Sequence, residues 1–272
     1  MILTSQNAKT PADIYNDFFG PAMFSPWAKD LATQAPPAAG DRVLDLACGT
    51  GLVSEQIAPL IGDAGSIVGL DFNPIMLTVA RRRDFGGTSA EWLEASALSI
   101  PLPDNSIDAV YCQQGFQFFP DRAKAASEVS RVLKPGGTLA VSVWASADEF
   151  PVWETLFTSA SKRLNVPIES VSIPNSFGGS EPLESMFAEA GFSNVQINKK
   201  SKESTFAPAA MFVKLMVMGA AAAIPAFGEL TDEERQELGS QIAADTSEIV
   251  QKHTQGEKVV MPTISYTAVG TA

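Results

Sequence analysis

The sequence holds a single histidine, His253, and only two cysteines, Cys48 and Cys112, in 272 residues. One imidazole and two thiols are too few for a zinc or His-ligated iron centre, and they leave almost no route to a histidine-based triad. The absence of any CxxC pair or Cys/His cluster excludes a disulfide framework and points to a reducing compartment. Cations are scarce too: 19 Lys and Arg against 31 Asp and Glu give a net charge of −12. A surface of that sign repels phosphate backbones and anionic lipids, so neither a nucleic-acid partner nor peripheral membrane attachment is expected. Long hydrophobic runs are missing. The longest, Leu215 to Phe227, reads LMVMGAAAAIPAF; it is short, Ala-rich and broken by Pro225, so it predicts no membrane span. The start, MILTSQNAKTPAD, lacks the basic region and apolar core of a secretory signal. A cytoplasmic protein is expected.

What is present supports a sizeable core: 45% of residues are hydrophobic and 18% charged, far from a disordered composition. Residues 12–34 read as helical, with aromatics at Tyr15, Phe18, Phe19, Phe24 and Trp27, and Pro36-Pro37 breaks the chain. From Arg42 to Trp144 apolar strands alternate with helical patterns. Strands are predicted at 42–47, 66–71, 90–95, 107–112 and 138–144, and helices at 52–61, 74–83 and 122–133. Lys134-Pro-Gly-Gly137 reads as a helix stop. This rhythm predicts a doubly wound α/β fold with a mostly parallel sheet and a ligand crevice at the strands' carboxyl ends. The pattern after Trp144 is less regular. A helix at 184–190, a strand at 195–199, helices through 207–255 and a final strand at 258–269 are expected.

The central motif is Val43-Leu-Asp-Leu-Ala-Cys-Gly-Thr-Gly51, between the first strand and the first crossover helix. Gly49 and Gly51 permit a tight turn and close approach of a ligand to the backbone. Asp45, inside the strand, would oppose a docking pyrophosphate and favour a positively charged group. Asp71 ends the second strand, 20 residues after Gly51, where a carboxylate can accept from both ribose hydroxyls. Ser54 occupies the position where a dinucleotide fingerprint wants its third glycine. The ligand therefore reads as a nucleoside with a cationic tail.

On these residues the chain resembles the class I S-adenosylmethionine (SAM)-dependent methyltransferases, in the ubiquinone/menaquinone-biosynthesis-like branch that acts on small molecules. The resemblance covers about residues 12–145. It is carried by the Gly-loop motif together with Gly69-Leu-Asp-Phe-Asn-Pro-Ile-Met76, Ile100-Pro-Leu-Pro-Asp-Asn-Ser-Ile-Asp108 and Arg131-Val-Leu-Lys-Pro-Gly-Gly137. It implies one methyltransferase domain with a Rossmann-like, seven-stranded sheet. Residues 1–40 would form a helical lid, 41–145 the SAM-binding core, and 146–272 the rest of the sheet with a helical cap around 207–255. SAM is the implied cofactor and S-adenosylhomocysteine (SAH) the product.

The resemblance also implies site roles. Asp45, Ala47, Gly49 and Gly51 would hold the methionyl part and Asp71 the ribose. Phe72 and Met76 would sandwich the adenine. Ser96 stands where relatives often place an acid for the adenine amino group, so Ala97 and Leu98 would contribute packing and backbone there. Gln113 would border the methionyl group, and Tyr15 would close over the cofactor. Phe19, Met23, Phe24, Trp27, Gln114, Phe116, Gln117 and Trp144 would face the acceptor. Relatives often have histidine where Gln117 stands, so no histidine-assisted step is expected there. The acceptor would be a small apolar or aromatic molecule taking the methyl group on O, C or N by direct displacement, through proximity and desolvation. No general base and no metal ligand is identified.

Other readings stay open. The 12–30 aromatics fit ordinary core packing. Arg81-Arg-Arg83 reads as a solvated helix end, and Asp232-Glu-Glu234 as a helix start capped by Thr231. Met211, Met216 and Met218 fit either helix packing or a plastic pocket. His253 reads as a surface residue, and a homodimer is compatible with the apolar 211–227 stretch. A SAM-fold protein without methyl transfer, either a cyclase or a partner-activating subunit, is the alternative. An NAD-dependent oxidoreductase fits less well, because of Asp45 and the missing third glycine.

Overall fold

Short runs of branched apolar residues punctuated by glycine dictate the centre of the molecule, which a computed structural model describes over residues 9–272. The opening eight residues, on which the expectation of no secretory signal partly rests, lie outside the described residues. Eight strands form one sheet: β1 (Arg42–Leu46), β2 (Ser66–Asp71), β3 (Ser89–Glu94), β4 (Ile107–Gln113), β5 (Leu133–Trp144), β6 (Ser193–Phe206), β7 (Thr254–Gln255) and β8 (Lys258–Thr271). Their order is β3-β2-β1-β4-β5-β8-β6, with the two-residue β7 pairing only with β8. The first five strands on that path run parallel, and β8 is antiparallel to both β5 and β6. The expected seven strands are thus present, and β7 adds an eighth as one arm of a hairpin. Strand order reverses direction between β1 and β4, which opens the crevice at their carboxyl ends.

Because successive strand residues point to opposite faces, β1 feeds two cores. Val43 packs with Tyr111, Ile57 and Leu31 on the face covered by α2 (Ser25–Gln34) and α3 (Leu52–Ile61). Leu44 packs with Val110, Val129 and Phe187 on the face covered by α5 (Arg122–Val132) and α7 (Ser180–Glu189). A third cluster, rich in aromatics, lies where the N-terminal segment meets α6 (Pro151–Leu164) and the helices between β6 and β8.

The N-terminal segment is helical from α1 (Pro11–Ile14) through α2, with its middle, Tyr15–Phe24, in wider π winding. Pro21, which has no N–H to donate, sits in that stretch. Four differences from the sequence expectation matter. The helix α6 falls in a region read as irregular. The strand expected at 195–199 runs from Ser193 to Phe206. The 207–255 stretch breaks into α8 (Phe212–Ala220), α9 (Pro225–Gly228), α10 (Asp232–Asp245) and α11 (Ser247–Lys252). Lys134–Gly137 does not separate helix from strand but bulges inside β5, where pairing jumps from Ile107–Leu133 to Ala109–Thr138. Thr231 does cap α10, in a reciprocal pair with Glu234. The helix α4 (Pro74–Ala80) follows β2 and aims its C-terminal end at the Gly loop. Among the described residues no helix is long and apolar enough to cross a membrane.

Candidate active site

The loop after β1 is shaped by three consecutive demands on the backbone. Ala47, Gly49 and Gly51 have φ of 55°, 53° and 79°, in the left-handed region that favours glycine. The two glycines differ in surroundings. A Cβ on Gly51 would stand 3.0 Å from the Trp92 ring, whereas one on Gly49 would meet nothing within 4 Å. Gly51 therefore locks the loop to the fold, and Gly49 borders open space.

Two buried carboxylates flank this loop. One oxygen of Asp45 accepts from the Ser54 backbone N–H (3.0 Å) and hydroxyl (2.6 Å). Its other oxygen, Oδ1, is buried with no partner. Burial pushes the Asp45 carboxyl up to about 7, because the charged form loses its hydration. The Asp71 oxygens accept from the backbone N–H groups of Gly49 (2.8 Å) and Asn73 (2.9 Å), and burial raises this carboxyl too. Thr50 Oγ1 and Gln113 Oε1 are likewise buried without partners. Gln113 donates its amide to the Phe24 carbonyl (3.0 Å), tying β4 to the N-terminal segment. Buried polar atoms are almost always paired, so orphans gathered at strand ends call for a polar ligand.

A cation comes from an unexpected place. Arg83 donates from Nε to the Thr50 carbonyl (2.5 Å) and from Nη2 to Asn16 Oδ1 (2.7 Å). Its Nη1 pairs with Glu55 at 2.8 Å. Arg82 pairs with Asp13 of the N-terminal segment. The reading of 81–83 as a solvated helix end is therefore corrected for Arg83, while Arg81 and Arg82 are exposed as expected. Only 14% of the Arg83 side chain is exposed, because α4 ends against the loop and the segment covers it.

Beside the loop lies a cavity of about 910 Å³, its open mouth included. Phe19, Met23, Phe24, Gln114 and Trp144, expected to face the acceptor, line it, and so does Tyr15, expected to close over the cofactor. Among the described residues no charged side chain does. Trp27 and Phe116 do not line it, which corrects both expectations. Trp27 lies behind Trp144, edge to face at 5.8 Å, with its indole N–H on Thr263 Oγ1. Phe116 points across the sheet into the core, against Phe119 and Phe187. Gln117 stands one step back, donating to Gln114. The opposite wall is Trp153, Leu156 and Phe157 from α6, not anticipated, and Val213, Met216 and Val217 from α8, of which Met216 was weighed as a pocket residue. The 3–4-residue spacing of Val152, Trp153, Leu156, Phe157 and Ala160 was the signal for α6. Met211 and Met218 instead border a surface groove between α8 and α10.

The remaining expected residues are placed unevenly. Phe72 is 72% exposed, while Met76 is buried against Ala12 and Val79, so their surroundings differ. Ser96 Oγ accepts from the Leu98 N–H (3.1 Å), and Ala97 is buried. Cys48 and Cys112 are buried free thiols, and burial raises both out of reach of ionisation near neutrality. His253 closes α11, outside the residues lining the cavity.

Comparison with known proteins accords with this geometry. The family model described as a methyltransferase domain matches residues 44–141. The demethylmenaquinone methyltransferase of Shouchella clausii is 30% identical over 200 residues, covering 68% of this chain and 84% of that protein. Two solved structures share the fold. The phosphoethanolamine N-methyltransferase 2 of Haemonchus contortus, solved with phosphomonomethylethanolamine and SAH, has a TM-score of 0.58 at 16% identity. The match covers 96% of this chain and 56% of that one. The 4+2 cyclase SpnF has a TM-score of 0.54 at 20% identity, covering 90% and 80%. The chain belongs to the class I SAM-dependent methyltransferases. Within them it falls in the small-molecule branch that includes the demethylmenaquinone enzymes, and its cofactor is SAM.

Proposed function

We propose that this enzyme methylates a small apolar ring compound, of quinol or phenol type, held in the aromatic cavity beside the Gly loop. The observation that carries the reading is adjacency. Tyr15, Phe24 and Gln114 line the cavity, while Gln113, next to Gln114, ties Phe24 to the loop side. The quinone-like acceptor of the Shouchella relative suits such walls.

On this reading Asp71 takes the ribose hydroxyls, and its two backbone donors leave lone pairs for them. Asp45 Oδ1, Thr50 Oγ1 and Gln113 Oε1 are the free partners for the polar tail. Ala47, Gly49 and Gly51 shape the backbone cradle, with Phe72, Met76, Ser96, Ala97 and Leu98 around the adenine. Residues 1–40 act as lid, 41–145 as cofactor core, and 207–255 as cap over the acceptor. Bound SAM supplies a methyl group already activated by its sulfonium. The chain's own part is to align, desolvate and exclude water. Burial and the nearby Asp71 charge raise the Tyr15 phenol, so it stays protonated and serves as a donor, not a base. The acceptor must therefore arrive as a competent nucleophile. Two free thiols suit the reducing cytoplasm.

The test is SAH formation from SAM with 1,4-naphthoquinol and simple phenols as probes. Turnover with the bicyclic quinol and none without acceptor supports the reading. SAH binding with no product from any ring compound contradicts the acceptor class.

A further inference from the structure

Gln114 is the polar residue of the cavity wall whose hydrogen-bonding directions are fixed from behind. The Ser265 hydroxyl sits 2.9 Å from the Val143 carbonyl and donates to it. Its oxygen must then accept from Gln114 Nε2, at 3.1 Å. That contact sets the amide orientation, and Gln114 Oε1 receives the Gln117 amide at 3.3 Å. The oxygen thus has one donor and one Nε2 hydrogen is used. A primary amide has two such hydrogens, and the second has no partner among the described residues. The Gln114 backbone is held at φ 56°, in the left-handed region, and its N–H donates to the Ser142 carbonyl at 2.8 Å. A non-glycine residue kept in that conformation at a site marks a side chain whose direction the fold enforces. Gln114 is also buried, so the spare N–H lacks bulk water to satisfy it.

We propose that Gln114 is the specificity-determining residue for the acceptor: its spare amide hydrogen binds a ring oxygen with a free lone pair, selecting oxygenated ring compounds over hydrocarbons of the same shape. The proposal rests on the acceptor reading above. The hydrogen bond fixes one end of a molecule that apolar walls alone would leave free to rotate, at the end of β4 where cavity and cofactor loop meet. An unpaired donor in an apolar pocket also penalises a ligand that cannot accept from it.

The test compares 1-tetralone with tetralin, which differ by one ketone oxygen, binding to the full chain saturated with SAH. Calorimetry and quenching of the cavity tryptophans, Trp144 and Trp153, report the two dissociation constants. In Gln114→Met, the wild-type preference for tetralone is expected to fall about tenfold, with SAH affinity unchanged within about twofold. Gln114→Leu, which removes the amide and keeps the branch point of the side chain apolar, should lose the preference as well. An unchanged preference in either variant with SAH affinity intact overturns the assignment to Gln114 and leaves the acceptor reading standing. Binding of neither probe to the wild-type SAH complex overturns both.

Discussion

Arg83 Nε lies 2.5 Å from the carbonyl oxygen of Thr50, between the two glycines of the cofactor loop. The same guanidinium holds Asn16, one residue from Tyr15, and Glu55 in the helix that follows the loop. The N-terminal segment and the loop–helix junction at 50–55, distant in sequence, thus meet on one side chain. The planar fork of arginine suits this, and lysine cannot reproduce it. Arg83→Lys is expected to weaken SAH binding about tenfold and to speed tryptic cleavage within residues 9–34. Unchanged affinity and cleavage would show that the clamp is ornamental.

Asp45 gives the site a pH dependence. Folded, it keeps its proton up to about pH 7; unfolded, an aspartate releases it near pH 4. Between those values the folded chain binds more protons, so this group's contribution to stability falls as pH rises. An ammonium bound at Oδ1 would relieve that cost by pairing with the charged form. The increase in melting temperature caused by SAH should therefore grow from about pH 5.5 to about pH 8. Asp45→Asn, which retains an acceptor for Ser54, should flatten the dependence. A parallel rise in that variant would remove Asp45 from the account.

The two loop glycines should part company on substitution. Gly51→Ala combines a left-handed backbone with a 3.0 Å approach to Trp92, and a loss of about 1–3 kcal/mol is expected in denaturant unfolding. Gly49→Ala carries the backbone strain without the collision, so it should unfold closer to wild type. Its Cβ enters the open space beside the loop, so the larger loss there should be in SAH affinity. Equal destabilisation of both variants with equal affinity would contradict the division of roles.

The lone histidine should be dispensable. His253 lies at the end of α11, away from the cavity lining, and methyl transfer from a sulfonium to a ready nucleophile needs little base help. His253→Ala is expected to keep kcat within about tenfold, measured as SAH release. A collapse with SAH binding retained would mean that histidine performs a step assigned here to no residue.

The N-terminal half of this architecture is legible because β1, β2 and β4 are buried on both faces and read as unbroken apolar runs between glycines. The loop motif and Asp71 then place the cofactor. The second half hides for a different reason. The strand β6, SNVQINKKSKESTF, is largely exposed at the sheet edge and carries lysines that pair with Glu149 and Asp30. Such polar edges blunt strand pairing and also erase the hydrophobic alternation. The helix α10, DEERQELGSQIAAD, is legible from its Thr231 start, although two of the four residues on its buried stripe, Arg235 and Gly239, are not apolar. Arg83 was misread because its role depends on Asn16 and Thr50 coming close, and no local pattern encodes that approach. Trp27 and Phe116, expected to face the acceptor, turn away from the cavity instead. Which face of its element each occupies was fixed by Thr263 and Phe187, far along the chain.

Calorimetric titration of SAH into wild type and Asp71→Ala tests the central claim most directly. Asp71 links the loop, through Gly49, to the end of β2, where the ribose is assigned. Wild type should bind one SAH per chain at micromolar strength, and the variant about 2–4 kcal/mol more weakly. Equal affinity in the two proteins would contradict the placement of the cofactor on this loop.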